Sequence, residues 1–281
     1  APRKIEGAIR CPYHSWCYST KGRLVSTPHV GGAGHNTHAA IVKDDLGLIE
    51  VRSHIWRDVV FINLDGTGLQ QITHGAYNNL DPCWLPDGGI AFLSTRAPQF
   101  AYCWHAPVGV LHRMEADGSK LVRLSANYLN DFTPSVMADG RILYTRWEYV
   151  DKHFSSAYGL WTVNPDGTNQ AVYWGNNTAS PGGVFDGHLV PGTEQVVCVF
   201  GPHHDRLWGA LALVDRRRAM DGRRGVIRTW PSDAIERVRS GGRFDCDGFK
   251  LVHPKYEDPW PLSDKYFLCS RTTCNPNDDE Q

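Results

Sequence analysis

Two short stretches of the chain gather side chains that could ligate a metal. Gly201-Pro202-His203-His204-Asp205 sets two imidazoles beside a carboxylate, the donor types of a zinc or haem-edge site. Successive residues of a strand face opposite ways, so His203 and His204 rarely share one ion, and a polar loop is the plainer reading. Asp245-Cys246-Asp247-Gly248 opens like a calcium loop, but its glycine comes two positions early and Tyr256 stands where the bidentate glutamate belongs. Calcium is not expected there. Arg216-Arg217-Arg218 and Arg223-Arg224 read as a solvated basic turn rather than a phosphate site. No glycine-rich phosphate loop, G-x-S-x-G elbow or S-x-x-K occurs, so nucleotide hydrolysis and serine acylation lack candidates. The eight cysteines include no C-x-x-C pair, which excludes a zinc ribbon and leaves no c-type haem attachment motif.

The elements that would position such residues are short strands. With 281 residues, 41% hydrophobic and 21% charged, the chain is neither disordered nor in need of staples, and no apolar run is long enough for a membrane span. The 28 glycines, 17 prolines and ten tryptophans favour a turn-rich, mainly β protein. A net charge of −1 argues against a nucleic-acid partner. That balance is uneven: residues 1–62 carry a net +3 and residues 63–281 a net −4, which divides the chain into a first domain at 1–62 and a second at 63–281. The first residues hold no apolar signal core, so a signal peptide is expected to be absent, removed or truncated away.

From residue 60 an internal repeat dominates. An apolar strand runs into a charged turn at Val60–Thr67, at Leu111–Ser119 and at Leu160–Thr168, with a weaker copy at Ala210–Asp215. The aspartates at 65, 117, 166 and 215 keep steps of 52, 49 and 49 residues. A second element keeps the same beat, Pro82 to Ser94 recurring as Pro134 to Thr145, with looser versions at Pro191–Phe200 and Leu262–Ser270. A unit of about 40–50 residues made of short strands and Asp-Gly turns is what a propeller blade requires, because one small sheet cannot bury its faces alone. The Asp-Gly pairs are turn chemistry, not catalysis. Asp233-Ala234-Ile235-Glu236 reads as a capping box opening a short helix that ends near Gly241-Gly242, within an insertion at about 215–259.

These repeats resemble TolB-like, WD40-like β-propeller sequences. More narrowly, Leu124–Pro134, Leu143–Asp151, Leu160–Thr168 and Gly201-Pro202-His203-His204 resemble the propeller of hydrazine-synthase alpha-subunit-like proteins, a resemblance covering about residues 62–271. It implies a scaffold; that family's haem chemistry needs the C-x-x-C-H attachment that this sequence lacks. It also implies export or a periplasmic location.

Residues 5–65 tell another story. Cys11-Pro12-Tyr13-His14-Ser15-Trp16-Cys17-Tyr18, with Lys21-Gly22-Arg23-Leu24 and Pro28, resembles the second ligand box of the Rieske domain in ring-hydroxylating oxygenase alpha subunits. Leu46–Val51 and Ile55–Asp65 resemble the strands that close that domain. The resemblance implies that Cys11 and His14 form half of a [2Fe–2S] site, since a Rieske centre holds one iron by two Cys and the other by two His. It also implies a cytoplasmic location. The other half, a C-x-H box, is not among the ten residues before Cys11, and Ser15 replaces the usual glycine. Cys103-Trp104-His105 has the right local spacing but falls inside the repeats. The facial His-His-carboxylate spacing of the oxygenase iron is missing as well, so oxygenase activity is not supported. Phe61–Gly66 serves both patterns at once, which fits a fusion, a recombination or an assembly join. A natural two-domain protein truncated at its N-terminus is the alternative.

The expectation is a mainly β chain: a partial Rieske-like β domain, then about four blade-like units of an incomplete β-propeller. Its functional reading is a propeller scaffold or binding module of a redox-associated protein carrying a Rieske-like remnant, with a protein partner completing the propeller. The rival is a Rieske [2Fe–2S] oxidoreductase lacking its upstream ligand box. Cys11 and His14 are the candidate cluster ligands, and His203 and His204 a weaker metal pair.

Overall fold

The computed structural model describes residues 7–10, 15–28, 30–32, 34–36, 38–48, 52–56, 59–63, 70–101, 106–149, 156–241 and 245–272. Cys11, His14, Asp65 and Cys103-Trp104-His105, all singled out by the sequence, lie outside the described residues. The chain separates into two compact units, Ala1–Gln71 and Ile72–Gln281. No described helix is long and apolar enough to cross a membrane.

Among its described residues, the first unit holds two small antiparallel sheets. Ala8–Arg10, Cys17–Ser19 and Leu24–Ser26 form one, with Arg10 opposite Cys17. Arg52–Trp56 and Val59–Asn63 form the other. Leu24 and Thr27 are buried, and the Thr27 hydroxyl donates to the Asn36 carbonyl at 2.6 Å.

The second unit is a series of up-and-down antiparallel meanders. The first has four strands, Asn79–Trp84, Ile90–Ser94, Val110–Met114 and Val122–Arg123. The next repeats the order with Asp131–Val136, Ile142–Tyr149, Ser156–Val163 and Ala171–Trp174. A third uses Gly183–Leu189, Val196–Gly201, Ala210–Val214 and Val226–Trp230. Tyr158 opposite Gly183 joins the second and third in parallel, so that together they make one eight-stranded sheet. Tyr256–Pro261 and Phe267–Arg271 pair as a fourth, two-stranded sheet. The chain is mainly β, as its composition and repeats predict.

The cores lie between successive meanders. Leu93, Leu111, Ile142, Tyr144 and Val163 pack the first against the second, and Leu143, Leu160, Val184, Val196 and Cys198 pack the second against the third. Strands in these positions read as continuous apolar runs because both of their faces are covered; Ile90–Ser94, Val196–Gly201 and Ala210–Val214 are buried at every residue. Buried hydroxyls tie the layers together: Ser135 donates to the Gly187 carbonyl at 2.6 Å and Thr145 to that of Val184 at 2.7 Å.

The repeating aspartates behave as turn residues. Asp117 accepts from the Ser119 amide and Asp166 from the Thr168 amide, both at 2.9 Å, in turns closed by the same pair of backbone bonds. Hydrogen bonding from the Ser119 and Thr168 side chains, together with these amide bonds, holds both carboxyls below the usual carboxylate range. Asp215 differs. Its amide donates to Gly225 across a longer loop, which places it where Glu115 and Asn164 stand in the other turns, two residues before the equivalent of Asp117.

A second repeated feature is a bulge in the first strand of every meander. Asp81, Thr133, Asp186 and Asp258 all have left-handed backbone conformations, with φ of 49, 42, 52 and 52°. Each sits where the register with the second strand shifts.

The segment expected to be a capped helix takes another form. Ser232–Arg237 is a 3₁₀ helix with Pro231 at its N-cap position and no side-chain capping bond. It stops before Gly241 because Val238 is buried and Arg239–Ser240 leaves in extended form to pair with Thr178–Ser180.

Candidate metal centre

The third meander and the segment after it bring together the two stretches with which the sequence analysis began. His203 and His204 follow the strand Val196–Gly201 in a bend, so strand alternation does not separate them, and their ring centroids stand 4.3 Å apart. Asp245–Asp247 precedes the 3₁₀ turn Gly248–Leu251, anchored by Phe249, which is fully buried edge-on to Phe200. The His203 amide donates to the Cys246 carbonyl at 2.7 Å, and the His204 amide to Asp247 Oδ1 at 3.0 Å. Glycine is required beside this contact: a Cβ at Gly182 would stand 2.0 Å from the Cys246 carbonyl oxygen.

The two histidines then diverge. His204 Nδ1 lies 2.9 Å from Asp247 Oδ2, and one ligand atom from each of His204, Cys246 and Asp247 lies within 4.8 Å of the others. His203 is not in that group; its ring packs against Tyr158 and Trp147, at centroid distances of 4.9 and 5.9 Å. Burial, with the neighbouring His204, depresses the His203 imidazole to about 4, so it is neutral at physiological pH. Burial alone would raise the Asp247 carboxyl, but the bonds from the His204 amide and ring outweigh it and hold the group below the usual range. Lys250 Nζ stands 3.4 Å from the same carboxylate. Burial and the adjacent Asp247 raise the Cys246 thiol.

The basic cluster is largely engaged. Arg217 pairs with Asp215 at 2.7 Å, Arg223 with Glu236 at 2.5 Å, and Arg216 stacks over Tyr173. These pairings agree with a turn rather than an anion site.

Cys11 and His14 lie between the paired strands Ala8–Arg10 and Cys17–Ser19 in sequence and outside the described residues. Residues 3–43 contain no Cys-x-His pair, and the other cysteine there, Cys17, is a half-buried strand residue whose thiol donates to the Ser15 carbonyl at 3.4 Å.

The Rieske [2Fe-2S] domain family matches residues 3–43. Among solved structures, the chain is similar to Kuenenia stuttgartiensis hydrazine synthase, with a TM-score of 0.52 and 17% identity over 78% of this chain and 34% of that one. It thus spans about a third of that protein's length, and the likeness is one of fold. No curated protein matches in sequence. A short N-terminal stretch and most of the chain thus resemble different proteins, as their motifs predict.

Proposed function

We propose that the second unit is a β-propeller-type scaffold or binding module of a redox-associated protein, and that the Rieske-like segment before it does not hold a cluster by its own residues. The observation that carries the scaffold reading is the succession of meanders, each opening on a bulge with a left-handed residue. Repetition of this kind builds a platform whose loops bind, while the strands supply rigidity. The WD40-like and TolB-like character rests on the same repeats. Redox association is supported by the match to the Rieske domain family and by the fold shared with hydrazine synthase.

A protein partner or further sheets that complete the ring belong to this reading. Leu80 and Trp84 on the first meander, and Trp260, Leu262 and Leu268 on the fourth sheet, are more than half exposed. Apolar side chains at both ends of a sheet series fit burial by further β-structure.

Visible absorbance and iron analysis of the purified chain test the proposal. Less than one cluster per chain is expected, and a longer chain carrying an upstream C-x-H box should gain one that Cys11→Ala removes. A coloured, iron-replete protein from the present sequence would favour the iron–sulfur oxidoreductase instead.

A further inference from the structure

We propose that His204, Cys246 and Asp247 bind a zinc-class divalent ion, with the fourth coordination position open to solvent or an exogenous ligand. The inference is independent of the scaffold reading and of the Rieske-like segment. Its basis is the convergence of an imidazole nitrogen, a thiol sulfur and a carboxylate oxygen, from loops 43 residues apart, within 4.8 Å of one another. Those are the three donor types that zinc takes, whereas calcium is bound by oxygen alone and is disfavoured by the cysteine. Zinc bonds of about 2.0–2.3 Å at tetrahedral angles put ligand atoms about 3.3–3.5 Å apart, so closing the site needs side-chain movements of about 1 Å.

The backbone holds the two loops in register for this. Cys246 is fixed through its carbonyl by the His203 amide, and Asp247 keeps one oxygen on the His204 amide. Its other oxygen, now paired with His204 Nδ1 at 2.9 Å and Lys250 Nζ at 3.4 Å, would exchange those partners for a metal. The cluster is reachable: His204 is exposed, and Cys246 and Asp247 are half-buried. Lys250, 3.4 Å from Asp247, places a positive charge where the ion's charge would be. Three protein ligands leave one position for water or substrate, the pattern of an open rather than a structural zinc site.

Equilibrium dialysis of the full chain against zinc, with metal counted by mass spectrometry, tests the site, and cobalt substitution reads the thiolate bond optically. One tightly held zinc per chain is expected, with a thiolate-to-cobalt charge-transfer band in the cobalt form. Cys246→Ser should abolish the band, and Cys246→Ser and Asp247→Asn should each weaken binding at least about tenfold, the lower end of the range for losing a supporting group. Cys11→Ala should leave both readouts unchanged. Lys250→Gln, which alters no ligand, should tighten binding and so tests the site even where a ligand variant fails to fold. Absence of a stoichiometric zinc in the wild-type chain, or an undiminished band in Cys246→Ser, would overturn the proposal.

Discussion

Thr133 and Asp186 occupy the same bulge in successive meanders, and the Asp186 amide donates to the Thr133 hydroxyl at 3.0 Å. The link continues backwards, since the Thr133 amide faces Asp81 Oδ2 at 3.4 Å. Neighbouring meanders are thus joined at their first strands by the side chain of the bulge residue, which must both accept a hydrogen bond and tolerate a left-handed backbone. Aspartate does this at low cost, while β-branched threonine pays in backbone strain.

Thr133→Asn should therefore stabilise the chain by roughly 0.5–1 kcal/mol, because asparagine keeps an acceptor and relaxes the backbone. Thr133→Val keeps the strain, loses the acceptor and should destabilise by about 1–2 kcal/mol. Urea unfolding separates the two. Equal destabilisation by both variants would show that the hydroxyl is not a simple acceptor here.

Gly209 marks the contact between the third and fourth sheets. It exchanges two backbone bonds with Tyr256, at 3.0 and 2.7 Å, and a Cβ there would stand 2.1 Å from the Phe200 carbonyl oxygen. Gly209→Ala should loosen the fourth sheet, seen as faster hydrogen exchange over residues 256–271 with the first meander unaffected. Unchanged exchange would mean that the fourth sheet is held by its side chains alone.

Asp131 should govern part of the pH dependence. It is buried and bonded to the Leu111 amide and the Asn127 side chain, both at 3.0 Å. Burial nonetheless raises its carboxyl to about 6, against bonds from Ser125, Leu111 and Asn127 that lower it. Between about 4 and 6 the folded chain therefore binds a proton that the unfolded chain has released, so stability falls as pH rises through that window. The full cost, on the order of 3 kcal/mol, persists at neutral pH. Asp131→Asn removes this slope, and the Tm difference between variant and wild type should move in the variant's favour from pH 4 to pH 7. A constant difference would place the titration elsewhere.

What the sequence discloses and what it hides follow from the range of the interactions. Asp117 and Asp166 were legible because an Asp-Gly turn is decided by neighbours within four residues. The fourth sheet was harder, since Asp258 comes 72 residues after Asp186 rather than about 52, with a longer turn from Asp215 and a 3₁₀ segment in between. His203 and His204 stand out as a pair in the sequence, but the grouping of His204 with Cys246 and Asp247 depends on a meeting of distant loops that no spacing reveals. The Asp-Cys-Asp-Gly run carries donor side chains whose spacing does not fit a calcium loop, and only the fold sets two of them beside His204.

We have proposed that this chain's own residues build a scaffold and not an iron–sulfur centre. Anaerobic reconstitution with iron and sulfide, followed by electron paramagnetic resonance of the reduced protein, tests it most directly. Acid-labile sulfide distinguishes a cluster from a single ion at His204, Cys246 and Asp247. The account predicts no Rieske-type signal and less than one [2Fe–2S] unit per chain, because on the proposed reading Cys11 and His14 would supply only half of the required ligands. A stoichiometric Rieske-type signal from the unextended chain would contradict it.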